Sequence, residues 1–203
     1  MYLIIRLIIG IVLFAAIAIT SILLKRRVIR AKTAVPILFI AFALSLVSSL
    51  VPFENLFTSF KTPEEVFAYG NLGEKSVDFV LEGEDSAFVY GKAGGKDTFM
   101  ITPRENGEYK MFSLFSLKNY FAASGDDYTV IVYNYKGSSD YYIFITDHSD
   151  NGLSCFDNLN SEFHKVLGEN GFLDSLYCCV SNPENDYYLR IENDIIQYDD
   201  LIK

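Results

Sequence analysis

Apolar positions along this chain fall into three regimes. Tyr2 to Leu24 and Ala34 to Val51 are almost unbroken apolar runs, separated by Lys25-Arg26-Arg27-Val28-Ile29-Arg30-Ala31-Lys32. A short stretch of helical spacing follows, with Phe53, Leu56, Phe57 and Phe60 at i, i+3, i+4 and i+7. From Ser76 onward the period changes to two, broken by turn residues, which is the mark of strands.

A helix rises about 1.5 Å per residue and the hydrocarbon core is about 30 Å thick, so roughly 17 to 25 apolar residues are needed to cross it. Both runs meet that length. The pattern therefore predicts an N-terminal two-helix transmembrane hairpin over residues 1–52, with spans 2–24 and 34–51. A cleaved signal peptide would place its positive charge before the apolar run, whereas here it follows. Arg6 lies near one end, where its guanidinium can reach the headgroups.

The loop 25–33 carries Lys25, Arg26, Arg27, Arg30 and Lys32. Short cytoplasmic loops collect positive charge, so these residues predict a cytoplasmic loop with the N-terminus and everything after Pro52 outside. The expected location is the cell membrane, with the lipid bilayer as a partner through two spans. Ala34, Ala41, Ser45 and Ser49 share one helix face, opposite a small-residue patch of Ala16 and Thr20, as close helix packing requires. Neither run contains the Asp, Glu or His of an ion path, which argues against a channel or pump.

Residues 53–71 read as a juxtamembrane collar of two short helices. The second begins at Thr62-Pro63-Glu64-Glu65, where Thr62 is the N-cap, Pro63 the first helical residue and Glu65 the capping-box partner, and Gly70 stops it. Residues 72–203 read as a mainly-β domain of successive antiparallel hairpins. Val77–Leu81 pairs with Ser86–Tyr90, and Asp97–Ile101 with Tyr109–Phe112 across Asn106-Gly107. Tyr128–Tyr135 pairs with Tyr141–Thr146, and Leu176–Val180 with Tyr187–Ile191. One helix, Ser161 to Leu167, is expected among them, capped by Ser161 and ended by Gly168.

Charge sharpens the division. Residues 1–52 hold six of the 17 Lys/Arg and none of the 26 Asp/Glu, a net of +6; the remainder carries −15, within a total of −9. Such an acidic domain is repelled by nucleic acid, which excludes it as a partner. Twenty-seven of the 31 Phe and Tyr residues lie after Pro52. Their ordinary use is β packing; the functional alternative is an exposed aromatic patch on the Tyr128, Tyr133, Tyr135, Tyr141, Tyr142 hairpin.

Three constellations bear on chemistry. Asp147, Ser149, Asn151 and Gly152 take positions 1, 3, 5 and 6 of a calcium loop, but position 12, where a bidentate Glu is needed, is Asn158, so the segment reads as an Asx-rich turn. Cys155, Cys178 and Cys179 permit either one disulfide from Cys155 or three buried thiols. Adjacent strand residues point to opposite faces, so only one of Cys178 and Cys179 can share a face with Cys155. His148 and His164 lack the partners of a zinc site, and no nucleophile elbow or phosphate loop occurs.

The order of two spans, Phe53-Glu54-Asn55-Leu56-Phe57, Phe60-Lys61-Thr62-Pro63-Glu64-Glu65-Val66-Phe67 and the Tyr-rich hairpin ending Asp140-Tyr141-Tyr142-Ile143-Phe144-Ile145 resembles small uncharacterised membrane-anchored proteins of Gram-positive bacteria. That resemblance implies an outward-facing cell-envelope setting and no particular activity. The preferred expectation is a non-enzymatic extracytoplasmic module, without cofactor or metal, that binds an envelope component, a peptide or a membrane-protein partner. The alternative is an envelope hydrolase or thiol-dependent enzyme using Cys155 or paired carboxylates, with two or more of Asp147, His148, Asp157 and His164 in one deep pocket.

Overall fold

The computed structural model describes residues 2–27, 29, 31–50, 52, 55, 57–113, 116–149, 152–168 and 173–202, with the side chains of 2–9, 31, 44–50 and 121 outside that description. Helices α1 (Tyr2–Lys25) and α2 (Ala31–Leu50) form an antiparallel pair. Thr20, Ala34 and Ala41 are the buried positions between them, while bulky residues such as Phe14, Phe39 and Phe42 stay exposed. Small residues let the two backbones approach and push large side chains to the outside. Ser45 and Ser49 lie outside the described side chains.

Among the described residues no helix is long and apolar enough to cross a membrane. The expectation of a transmembrane hairpin with spans 2–24 and 34–51 is corrected accordingly. Lys25, Arg26, Arg27 and Lys32 are exposed around the turn, and Arg30 lies outside the described residues.

Of the first collar helix, Phe53, Glu54 and Leu56 also lie outside the described residues. The rest is not helical beyond a single tight turn at Asn55. Tertiary pairing wins here: Asn55 donates to the Met111 carbonyl (2.8 Å) and accepts from the Met111 N–H (2.9 Å), while Phe60 exchanges two backbone hydrogen bonds with Tyr109. Helix α3 (Pro63–Gly70) forms as its capping sequence predicts. Thr62 Oγ1 accepts from the Glu65 N–H, and Glu65 reaches back to the Lys61 N–H.

The remainder is antiparallel β throughout. Sheet one has the order β1 (Lys75–Glu82), β2 (Ser86–Ala93), β3 (Lys96–Glu105), β4 (Glu108–Tyr109). Sheet two is β5 (Leu117–Ser124), β6 (Tyr128–Tyr135), β7 (Asp140–Asp147), β10 (Ser175–Ser181), β9 (His164–Val166). Sheet three is β12 (Asp194–Gln197), β11 (Tyr188–Ile191), β8 (Cys155–Asp157), followed by the single turn α4 (Tyr198–Leu201).

Strand alternation stacks these elements into layers. Ala87, Val89 and Met100 face α3, where Val66 and Phe67 are fully buried. The alternate residues Phe88, Tyr90 and Ile101 face sheet two, meeting Tyr142, Phe144 and Tyr177. The opposite face of sheet two sends Val130, Val132, Ile143, Ile145 and Cys178 against Leu189, Ile191, Ile196 and Leu201 of sheet three and α4. Sheet two is therefore covered on both faces. Fully buried Phe88 anchors the first interface, with its ring 5.0 Å from Phe144 and 5.4 Å from Phe99.

Two of the expected hairpins are present as expected, and the third only at its turn: Asp97–Ile101 pairs with β2 rather than with Tyr109–Phe112, and β3 meets β4 through Arg104–Glu105 and Glu108–Tyr109 alone. Asn106 and Gly107 both take positive φ (53° and 80°), as the tight turn between β3 and β4 demands. The fourth is corrected: β10 pairs with β7 and β9, whereas Tyr188–Ile191 pairs with β12 and β8 in another sheet. The helix expected over Ser161–Leu167 is likewise corrected, since His164–Val166 is a strand paired with Ser175–Tyr177. Pairing with β10 supplies partners for this backbone and overrides a local cap-and-stop signal.

Candidate functional site: one closed and one open end of the sandwich

The interface between sheets one and two runs from the β1–β2 turn at one end to the β2–β3 turn at the other. At the first end it is locked by Asp140, which is fully buried. One carboxylate oxygen accepts the Glu84 N–H (2.8 Å) and the Ser181 hydroxyl (2.6 Å). The other accepts the Asp85 N–H (2.9 Å) and the hydroxyls of Ser86 (2.8 Å) and Ser138 (3.2 Å). Five donors from the β1–β2 turn, the β6–β7 turn and the end of β10 thus converge on one ion. Burial alone would raise its pKa, yet the hydrogen bonds from Ser181, Glu84, Ser86 and Asp85 outweigh it and hold the carboxyl below its usual range.

The clamp continues outward. Asp85 accepts the Ser139 N–H (3.3 Å) and hydroxyl (3.0 Å), and Asn182 donates to Glu84 (2.7 Å). Gly83 passes directly over the Asp140 carboxyl, where any Cβ would overlap it. No side chain other than hydrogen fits there.

Six residues along β2 from Ser86, about 20 Å at strand rise, the same two sheets part. A groove of about 600 Å³ opens between the β2–β3 turn and the start of β10. Its aromatic floor is Tyr90, Phe99 and Tyr177, and Val166, Leu167 and Leu173 line one side. Lys92, Lys96 and Asp97 stand on the other, with a Lys92–Asp97 ion pair at 3.8 Å between exposed side chains. Phe99, Leu167 and Leu173 are exposed although large and apolar. Behind the floor, Phe79 stacks on Tyr90 (5.2 Å) and on His164 (5.1 Å), so the rings cannot shift independently. Burial raises the Tyr177 hydroxyl pKa, which keeps that group neutral.

The tyrosines singled out in the sequence lie elsewhere. Tyr128 and Tyr142 are buried, and Tyr133, Tyr135 and Tyr141 are half-buried. Tyr142 donates to or accepts from Ser86 (2.8 Å) at the clamp, and Tyr133 packs on Phe99 and Phe144. An exposed patch on this hairpin fails because sheet two has no free face. Tyr128 donates to Asp194 (2.9 Å), and burial first, then that bond, pushes its pKa up to about 12.

The cysteines are free thiols, with Cys178 in the core facing sheet three together with Cys155, and Cys179 on the opposite face. Burial pushes Cys155 and Cys179 up to about 12 and Cys178 well above the ordinary range. Thiolate nucleophiles need the reverse shift.

Asp147, His148, Asp157 and His164 do not line the groove. Asp147 accepts the Ser149 N–H, the Ser149 hydroxyl and the Leu153 N–H, closing its own loop, of which Asp150 and Asn151 lie outside the described residues. Asp157 accepts the Leu159 and Ser161 N–H groups and the Tyr187 hydroxyl. His148 contacts Thr129, and His164 is stacked on Phe79. Among the described residues no group of three or more His, Cys, Asp or Glu is placed to hold a metal.

The groove residues were absent from the sequence expectations. A usable signal existed in Gly94-Gly95, both at positive φ (58° and 76°), which marks a β2–β3 hairpin and places Lys92, Lys96 and Asp97 at one tip. The aromatic floor has no such signal. No family model, curated protein or solved structure matches this chain.

Proposed function

We propose that this protein is a non-enzymatic binding module whose ligand seats in the groove at the open end of the sandwich. The observation that carries the reading is that Phe99, Leu167 and Leu173 converge, exposed, around a concavity floored by packed aromatic rings. Concave, mostly apolar sites of roughly 300–1,000 Å³ with a few polar groups are the usual form of a small-molecule site. The lining favours recognition over turnover: among the described residues it holds no cysteine and no histidine, and burial keeps the Tyr177 hydroxyl neutral.

The helical pair gives the module a lipid surface to rest on. The exposed apolar residues of α1 and α2 adjoin the basic turn of Lys25, Arg26, Arg27 and Lys32, a combination suited to a layer of anionic headgroups. The acidic β domain is repelled by the same surface and stands off from it, leaving the groove free.

The test is a panel of small apolar, amphipathic and polar compounds added to the isotope-labelled full chain, read by amide chemical shifts. Binding in the groove moves Gly95, Thr98 and Ser175 and leaves Asp126 and Asn193, at the acidic crevice on another part of the surface, unmoved. If no compound moves the groove amides at millimolar concentration, the reading is wrong. Co-sedimentation with anionic vesicles, lost when Arg26 and Arg27 are replaced by Glu, checks the lipid part.

A further inference from the structure

Helices α1 and α2 cover each other along one stripe only, which holds Thr20 in α1 and Ala34 and Ala41 in α2. At about 100° per residue from that stripe, Val12 and Ile19 fall on one flank of α1 and Phe14 on the other. In α2 the flanks are Ile37 and Ile40 on one side and Val35 and Phe42 on the other. Because the helices are right-handed and antiparallel, the flanks join into two faces of the pair: an aliphatic one of Val12, Ile19, Ile37 and Ile40, and a largely aromatic one of Phe14, Val35 and Phe42. All seven side chains are exposed.

A lipid surface reaches only one of these faces. The other needs a partner to leave water. Aromatic residues are enriched at protein interfaces, which assigns the lipid to the aliphatic face and a protein to the Phe14, Phe42 face. Charge then says which protein. Lys25, Arg26, Arg27 and Lys32 are exposed at the turn, and none has a carboxylate partner among the described residues. The acidic domain begins at the other end of the pair, about 30 Å away at helix rise, since Asn55, five residues past the end of α2, already bonds to Met111. That domain carries −15, and α3, which lies against α1, exposes Glu64 and Glu65 in its first turn.

We propose that the occupant of the aromatic face is a second copy of this chain, packed as an antiparallel four-helix bundle. Running in the same direction, two copies would bring their basic turns together; running in opposite directions, each turn lies against the other copy's acidic domain. A two-fold axis then sets the Phe14, Val35 and Phe42 face of one copy on the same face of the other. The inference stands apart from the groove and leaves the aliphatic face to the lipid.

The experiment is sedimentation of the full chain at micromolar concentrations without detergent. A monomer–dimer equilibrium is expected, weaker at about 0.5 M than at about 0.05 M salt, because the pairs joining turn to domain are exposed. Arg26→Glu with Arg27→Glu weakens the dimer about tenfold at low salt. Phe42→Gln weakens it at every salt concentration, and Ile19→Gln, on the aliphatic face, leaves it unchanged. Orientation is read with a short amine-reactive crosslinker on mixed isotope-labelled and unlabelled chains. The antiparallel bundle joins Lys25 or Lys32 of one copy to Lys61 or Lys75 of the other, the two lysines that flank α3. Crosslinks between the two turns, or a dimer that tightens with salt, overturn the antiparallel arrangement. A chain that stays monomeric and binds anionic vesicles in that form makes lipid the sole occupant and overturns the dimer, as does assembly into larger aggregates.

Discussion

Replacing Asp140 by Asn is the sharpest test of how the sandwich is closed. The substitution keeps shape and volume, so its cost is electrostatic and hydrogen-bonding in origin. Each carboxylate oxygen accepts one backbone N–H, from Glu84 on one side and Asp85 on the other. Whichever way the new amide is turned, its NH₂ faces one of these N–H groups, donor against donor. A buried N–H left in that state costs about 1–3 kcal/mol. Hydroxyls of Ser86, Ser138 and Ser181 can rotate and accept instead, but they lose the charge-assisted part of their bonds, about 0.5 kcal/mol each. Removing a buried charge would ordinarily return some desolvation energy. Here the depressed pKa means these donors stabilise the ion better than water does, so there is no such return.

The expected loss is about 3 kcal/mol, or about 6–12 °C in Tm for a domain of this size. The assay is chemical and thermal denaturation of the full chain and Asp140→Asn from pH 7 down to pH 3. Because the folded pKa of Asp140 lies below its unfolded value, its contribution is present above the unfolded value, about 3.9, and is lost as pH falls through the folded one. The gap between the two proteins must therefore narrow at the acid end of the range. A loss below 1 kcal/mol at pH 7, or a gap that widens on acidification, would refute the clamp.

Other outcomes follow from the same geometry. Gly83→Ala should destabilise strongly, because its Cβ overlaps the Asp140 carboxyl, and should cost little further in an Asp140→Ala background, where that group is gone; a double-mutant cycle checks the coupling. Phe88→Ala should cost about 3–5 kcal/mol in urea unfolding, since this ring is fully buried among five others. Native cysteines should resist iodoacetamide at pH 8 and react in a burst on unfolding, as pKa values up to about 12 for Cys155 and Cys179 leave almost no thiolate. Tyr187→Phe should cost about 1 kcal/mol through loss of the hydrogen bond to Asp157 (3.1 Å), measured by the same unfolding assay.

Local features of the fold were legible wherever a signal was short-ranged. Thr62-Pro63-Glu64-Glu65 gave α3, and alternation across Lys136-Gly137-Ser138-Ser139 gave the β6–β7 hairpin. Asn106-Gly107 placed the β3–β4 turn. The misses share one cause, which is that period two says a residue is in a strand but not which neighbour the strand takes. Ser181 to Asp186 looks like any hairpin loop, yet it carries the chain from sheet two to sheet three. His164–Val166 shows a capped-helix signal locally and is drawn into β by the free edge of β10. The tyrosines of β6 and β7 take the ordinary role of β packing rather than the alternative of an exposed patch, because both faces of their sheet are covered. The role of Asp140 was invisible because its five donors lie in three separate turns, two of them more than 40 residues away in sequence. The groove floor was invisible for the same reason, as Tyr90, Phe99 and Tyr177 meet only once the sheets stack.

The most direct test of a sandwich shut at one end and open for a ligand at the other is residue-resolved amide hydrogen exchange along β2 and β10, with and without a compound from the panel that shifts the Gly95, Thr98 and Ser175 amides. Protection should be strongest at Ser86 and Val180, beside the clamp, and fall toward Lys92 and Ser175, with the ligand slowing exchange at that second end alone. Uniform protection along both strands, or slowing confined to the Asp126 and Asn193 crevice, would contradict it.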